Sequence, residues 1–218
     1  MKPKLTVRRI VEAGIELAAA DGVAGVTMAR VAAGLGAGTM SLYRHVRSRD
    51  ELVALMVDHA LGEPRRREAD LAWRAALTNW AADLHDVYRR HPWTLQVPVS
   101  GPPVLPHELG RLESALSSLA GTNLSEHDKL ATVLLVSGFV PSEAAVRQSV
   151  TRPDGSAVMT PYAEALASLV DLPRFPALQR ALASGALDED DLDGQFQFGL
   201  DRLLDGLDAL IGRQQPGP

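Results

Sequence analysis

Residues 27–49 read TMARVAAGLGAGTMSLYRHVRSR. The stretch describes two short helices joined by a glycine-bearing turn, the second basic and aromatic. Thr27 suits the position before a helix that begins at Met28, because its hydroxyl accepts a free first-turn N–H. Met28, Val31 and Leu35 recur at helical spacing and face inward. Gly36 stands where helices often end in a left-handed residue, and Gly38 gives the chain room to turn before Thr39. A second helix over Thr39–Val46 then puts Leu42 and Val46 on its inner face. So short a helix is unstable alone and must be held by packing. Its outer face is free for another task. Two such helices have the layout of a helix-turn-helix, in which the second helix enters the major groove of DNA.

The outer residues have the chemistry for that task. Thr39 and Arg44 can hydrogen-bond base edges or phosphates, Met40 suits a thymine methyl, and Ser41 shares their surface. Tyr43 and His45 carry polar tips suited to phosphate oxygens. Arg47 and Arg49 follow in the next turn, where positive charge is useful against the DNA backbone. Ser48 and Glu51 make a capping box for the following helix. On spacing alone an ordinary helical hairpin with a polar face explains the stretch equally well. Charge favours DNA. Residues 1–50 hold eight Lys/Arg against four Asp/Glu, a balance of +4; the whole chain is −5, which leaves about −9 on residues 51–218. A basic head on an acidic body is the electrostatic footprint of a DNA reader.

From Ile10 to Leu61 the sequence is IVEAGIELAAADGVAGVTMARVAAGLGAGTMSLYRHVRSRDELVALMVDHAL. This segment resembles the N-terminal domain of the tetracycline-repressor (TetR) family of bacterial regulators. LYRHV, followed by a basic turn and an acidic helix start, is the most specific part. The resemblance implies an all-α protein with a three-helix DNA-binding domain over 1–48, a connecting helix over 49–62 and a helical ligand-binding and dimerisation domain over 63–213. It implies DNA contacts from Thr27, Thr39, Met40, Tyr43 and His45, with Arg49 as a backbone anchor. Where relatives often carry a basic residue the chain has Ala29, and Arg30 stands one place later. The resemblance also implies a palindromic double-stranded operator, a small-molecule effector and a repressor's role. Past Leu61 the chain reads Glu63-Pro64-Arg65, without the histidine of the tetracycline-binding relatives, so a tetracycline–magnesium complex is not implied.

Length and composition agree with this outline. The chain has 218 residues, 46% of them hydrophobic, enough for one large or two modest domains with a real core. No uninterrupted run of about 18 apolar residues and no secretory signal is visible, so no membrane partner and a cytoplasmic protein are expected. Cysteine is absent, which excludes disulfides, thiol catalysis and Cys-ligated zinc. There is no phosphate loop, nucleophile elbow or metal-binding histidine spacing, so neither enzyme, metal nor cofactor is expected. The acidic run over residues 188–193 fits the start of the last helix, where negative charge is favoured.

The remaining pattern is helical. Helices are expected over Thr6–Ala20, Arg49–Leu61, Asp70–His91, His107–Leu119, Tyr162–Leu169, Pro176–Ala183 and Asp190–Arg213. Another runs from Glu126 towards Val150, where Pro141 should kink or stop it. Five of the fourteen prolines fall within 92–106, which therefore holds a short helical turn and a loop. The segment 214–218 is an expected disordered tail. A dimer reading a palindrome needs a self-complementary face. The candidates are Leu130, Val133 and Leu134 on one long helix with Phe196, Leu200, Leu203, Leu204, Leu207 and Ile211 on the last. Effector-lining candidates combine aromatic walls with a few polar groups: Trp80, His85, Tyr88, Trp93, Gln96, Phe139, Glu143, Arg147 and Tyr162. Trp80 and Tyr88 serve a core equally well, and His85 fits an exposed or hydrogen-bonded place at least as well as a ligand contact. A DNA-bound regulator controlled by a protein partner, or acting without a ligand, is the alternative reading.

Overall fold

The computed structural model describes residues 4–65, 71–98, 104–151, 165–166, 168, 174–185 and 192–213. In chain order the helices are α1 Val7–Asp21, α2 Met28–Gly34, α3 Thr39–Leu42, α4 Arg49–Leu61, α5 Trp73–Arg90, α6 Pro106–Ser118, α7 Glu126–Ser149, α8 Pro176–Ala183 and α9 Leu192–Arg213. Short 3-10 turns cover Val23–Gly25 and Pro92–Gln96. Tyr162, the acidic residues 188–191 and the tail 214–218 lie outside the described residues.

Hydroxyl caps set several of the helix starts. Thr6, Thr27, Ser48 and Ser125 each accept a first-turn N–H, from Arg9, Arg30, Glu51 and Asp128. The head, α1 to α4, closes on Ile10, Val26, Val31, Leu42, Val46, Leu52 and Met56, all essentially without solvent exposure. Gly14 lets α1 and α4 meet. A Cβ there would stand 2.6 Å from the Met56 Sδ, so any larger residue would push the Met56 side chain aside in the head core.

The body packs α5, α6, α7 and α9 around Leu77, Leu84, Leu119, Val136, Val140, Leu200 and Leu204. Trp80 is part of this core, and its Nε1–H donates to the Arg111 carbonyl at 3.0 Å. Helix α7 passes through Pro141 without stopping. Pro141 is flanked by Val140 and by Ala144, both buried, and this packing outweighs the hydrogen bond that proline removes. The long α7 is apolar enough in length and composition to cross a membrane. Its inner face, however, is committed to the body core. The surplus lies outside, in Leu130, Leu134, Leu135 and Val146, all exposed.

That division corrects the expected dimer face. Val133, Phe196, Leu200, Leu204 and Leu207 are buried within one subunit and so are core residues. Leu203 and Ile211 are half-buried, while Leu130 and Leu134 face outward. The helical period placed these residues on stripes without revealing which stripe the subunit itself would cover.

Head and body meet through buried polar groups. Asp58 of α4, 5% exposed, accepts the N–H of His107 at 2.9 Å and of Glu108 at 3.1 Å, and lies 2.8 Å from His107 Nδ1. It caps α6 from another helix. Arg111, also 5% exposed, donates to the Leu61 carbonyl at the end of α4 and to Asp83 of α5. Asp58→Ala leaves two helix N–H groups and a ring nitrogen without their acceptor. It is expected to lower stability by about 2 kcal/mol, read from urea unfolding. Unchanged stability would show that water replaces the carboxylate at no cost.

Candidate nucleic-acid interface and effector region

The reading element is built on two anchors. Leu42 is fully buried and Val46 is 1% exposed, and between them the chain turns outward. Gly36 takes φ +59, the left-handed conformation that closes α2, and open space surrounds it. Regular helix ends at Leu42, shorter than the expected Thr39–Val46. The chain continues as a turn, with His45 N–H donating to the Leu42 carbonyl at 2.8 Å and Val46 N–H at 3.0 Å.

Met40 is 76% exposed and Tyr43 45%, and Arg44 and His45 are exposed beside them. Their side chains make no hydrogen bond among the described residues. Thr39 and Ser41 are half-buried on the same element. A cluster of unpaired donors and one large apolar side chain, held out by a packed inner face, is suited to a groove lined by base edges and phosphates.

The other candidates have duties within the head. Thr27 spends its hydroxyl on the Arg30 N–H at 3.2 Å. Arg30 pairs with Asp21 and donates to the Gly25 carbonyl at 2.8 Å. Arg49 donates Nε to the Val26 carbonyl at 2.8 Å and Nη2 to the Val23 carbonyl at 2.7 Å, tying α4 to the 3-10 turn. Arg47 offers its backbone N–H to Glu51, and its exposed side chain has no partner among the described residues. The charge turned towards solvent beside the reading element therefore comes chiefly from Arg44 and Arg47.

The effector candidates divide among three places. His85, Phe139, Glu143 and Phe196 come together. His85 Nε2 is hydrogen-bonded to Glu143 at 2.9 Å. Its ring stacks on Phe196 with centroids 4.3 Å apart, and Phe139 stacks on Phe196 at 5.7 Å. Phe139 rests on Gly199, where a Cβ would stand 2.7 Å from the ring. Arg147 lies one turn beyond Glu143 on α7. Tyr88 is half-buried, and burial raises its phenol above the ordinary tyrosine value, with the Arg111 charge opposing. Trp80 is a core residue and borders a separate recess of about 310 Å³ with Asp83, Asp86, Ser114 and Ser118. Trp93 and Gln96 belong elsewhere: Trp93 is buried in the head core and Gln96 stands beside Gly22.

A larger open cleft, about 620 Å³, lies where head meets body, between Glu12, His59, Arg90, His91 and Arg111. Sequence reasoning missed Asp58, Asp83 and Arg111, the buried polar groups at this junction. Asp58 did leave a signal, a carboxylate inside the apolar run LVALMVDHAL. Arg111 left none.

A short outward-facing helix held on a three-helix head, ahead of a helical body, defines a helix-turn-helix DNA-binding regulator. Residues 10–56 match the family described as bacterial regulatory proteins, tetR family, and residues 64–211 match the tetracyclin repressor-like C-terminal domain. The chain belongs to the TetR family. It is 37% identical to the HTH-type transcriptional repressor DrrR1 of Streptomyces coeruleorubidus, over 98% of this chain and 81% of that one. An HTH-type transcriptional regulator of Saccharopolyspora erythraea is 31% identical over 97% of this chain and 88% of its own. Among solved structures, the ActR protein of Streptomyces coelicolor in complex with actinorhodin matches with a TM-score of 0.85 and 27% identity, covering 97% of this chain and 99% of that one.

Two expectations follow. Arg49→Ala should destabilise the head by about 1–2 kcal/mol, because two loop carbonyls lose a charged donor; Arg44→Ala should leave stability within about 0.5 kcal/mol. Equal thermal midpoints for the two variants would overturn the distinction. His91 is held below the ordinary histidine value of 6.5 by burial, then by the charges of Arg90 and His59. The unfolded chain therefore binds a proton at His91 before the folded chain does. Stability is full above pH 6.5 and falls as pH drops below it, until the folded form protonates as well. His91→Gln should flatten this slope in unfolding curves taken from pH 7 down to pH 5.

Proposed function

We propose that the protein is a cytoplasmic homodimeric repressor that binds a palindromic operator and leaves it when a small molecule occupies the body. The observation that carries the reading is the outward cluster Met40, Tyr43, Arg44 and His45, mounted on the buried anchors Leu42 and Val46. Dimerisation is supported by the exposed apolar stripe of α7 and by Phe198, an exposed side chain on α9. Leu130, Leu134 and Leu135 are exposed on α7 and Phe198 is 64% exposed on α9, more than an isolated subunit should leave in water. Two such faces make an isologous four-helix contact and put two reading heads about one DNA turn apart.

Repression is supported by the DrrR1 relative, a repressor by name. Effector control is supported by ActR, whose structures include complexes with actinorhodin and with (S)-DNPA. In this chain the row Phe139–Phe196–His85, closed by Glu143, is packed, and an aromatic effector reaching it would part these rings. The effector acts only through unequal affinity for the DNA-bound and released arrangements.

Selection of bound sites from random double-stranded DNA, at near-physiological salt, tests the reading. Enrichment of a palindrome with half-sites about one turn apart is expected. A folded dimer that enriches no sequence would overturn it. On the selected site, Tyr43→Ala should weaken binding by about 1–2 kcal/mol for every sequence, as loss of a phosphate contact does. Arg44→Ala should instead relax preference at defined base positions. A uniform loss from Arg44→Ala would move that residue to the DNA backbone.

A further inference from the structure

The turn after α5 belongs to the body by chain order and to the head by packing. Pro92 brings no N–H, and the chain tightens into the 3-10 turn Pro92–Gln96. Thr94 closes it, giving both its N–H (2.9 Å) and its hydroxyl (2.6 Å) to the His91 carbonyl. Trp93 is 3% exposed, and its companions are Ile10, Val11, Ala18 and Val26 of the head, not the residues of the body core. Val97 packs on the same cluster. Gln96 reaches Gly22, where a Cβ would stand 3.3 Å from its Oε1. On its other side the turn packs against α5 and α7.

One turn of chain thus touches α1, the 3-10 turn Val23–Gly25, α5 and α7. We infer that this turn, with Trp93 as its wedge, is a second tether between head and body, separate from the connecting helix α4, and that Trp93 is a positioning residue that fixes the angle of the reading head. The Asp58 and Arg111 bonds hold the end of α4 on the body, but they grip the head along one line only. An indole sunk in the head core, rigid and with two rotatable bonds, holds it from a second place. The two body helices that hold the turn are the ones that carry His85 and Glu143. A change of their spacing at the effector region therefore reaches the head through Trp93 as well as through α4. The consequence for DNA rests on the dimeric-reader proposal; the mechanical claim does not.

The absence of cysteine makes the test direct. Ala19→Cys on α1 and Ala120→Cys after α6 are exposed sites for a pair of spin labels. Doubly labelled chains diluted into unlabelled protein report the head-to-body distance within one subunit, in a monomer or a dimer alike. The parent should give a narrow distribution, and Trp93→Ala one at least about twofold wider, with amide exchange in α1 to α4 showing a folded head. Trp93→Phe keeps the apolar wedge without the indole N–H, which is buried with no partner among the described residues, and should stay narrow. If Trp93→Ala unfolds the head, Trp93→Leu carries the same comparison. An unchanged width in a folded head would overturn the tether. On DNA, the parent should lose about tenfold or more when the half-site spacing changes by one base pair, and Trp93→Ala should lose clearly less. A widened distance distribution without any palindrome binding would leave the tether standing and sink the dimeric reader instead.

Discussion

Helix α6 begins with a proline, and the N–H groups of His107 and Glu108 behind it have no partner in their own helix. Asp58 accepts both, from a helix of the other domain. Arg111, one turn further along α6, returns the favour by donating to the last carbonyl of that helix and by pairing with Asp83 of α5. Each domain thus completes a helix end of its neighbour. Buried groups of this kind are costly when half-satisfied, so the two domains hold a defined relation or lose several bonds together. The placement of the reading element, and any signal that reaches it, depends on this exchange.

The head separates charges that hold it from charges that face outward. Arg30 and Arg49 carry the same guanidinium as Arg44 and Arg47, yet their donors are spent on Asp21 and on the carbonyls of Val23, Gly25 and Val26. A count of basic residues along the stretch does not make that distinction. The body makes a parallel one with apolar residues. On α7 the stripe through Val133, Val136 and Val140 fills the subunit, and the stripe through Leu130, Leu134 and Leu135 does not.

Much of the fold was legible because its signals are local. Thr27 and Ser48 announce helix starts through hydroxyls that need to reach only a few residues ahead, and Gly36 marks a helix end. The outward cluster Met40, Tyr43, Arg44 and His45 was legible because Leu42 and Val46 fix the inner face. The failures share a cause. Pro141 was read as a kink or a stop, and it does not stop the helix because the packing of Val140 and Ala144, which the sequence does not display, holds it. Phe196, Leu200 and Leu204 were assigned to a partner because periodicity gives a stripe but not what covers it. Trp93 was read as a pocket wall because the chain after Pro92 gives no hint that it crosses to the head. Asp58 and Arg111 act across about fifty residues of sequence, beyond the reach of any local pattern.

The reading element is a single turn of helix whose stability comes from Leu42 and Val46. Met40, Tyr43, Arg44 and His45 contribute almost nothing to the core. Exchanges at these positions leave folding nearly untouched, since exposed substitutions away from packed contacts usually shift stability by no more than about 0.5 kcal/mol. On the proposed reading of DNA, base preference can therefore change at these positions without a stabilising change to accompany each step. On that reading the same head can be turned to a new operator by a handful of mutations neutral to folding, while Leu42 and Val46 stay fixed by packing.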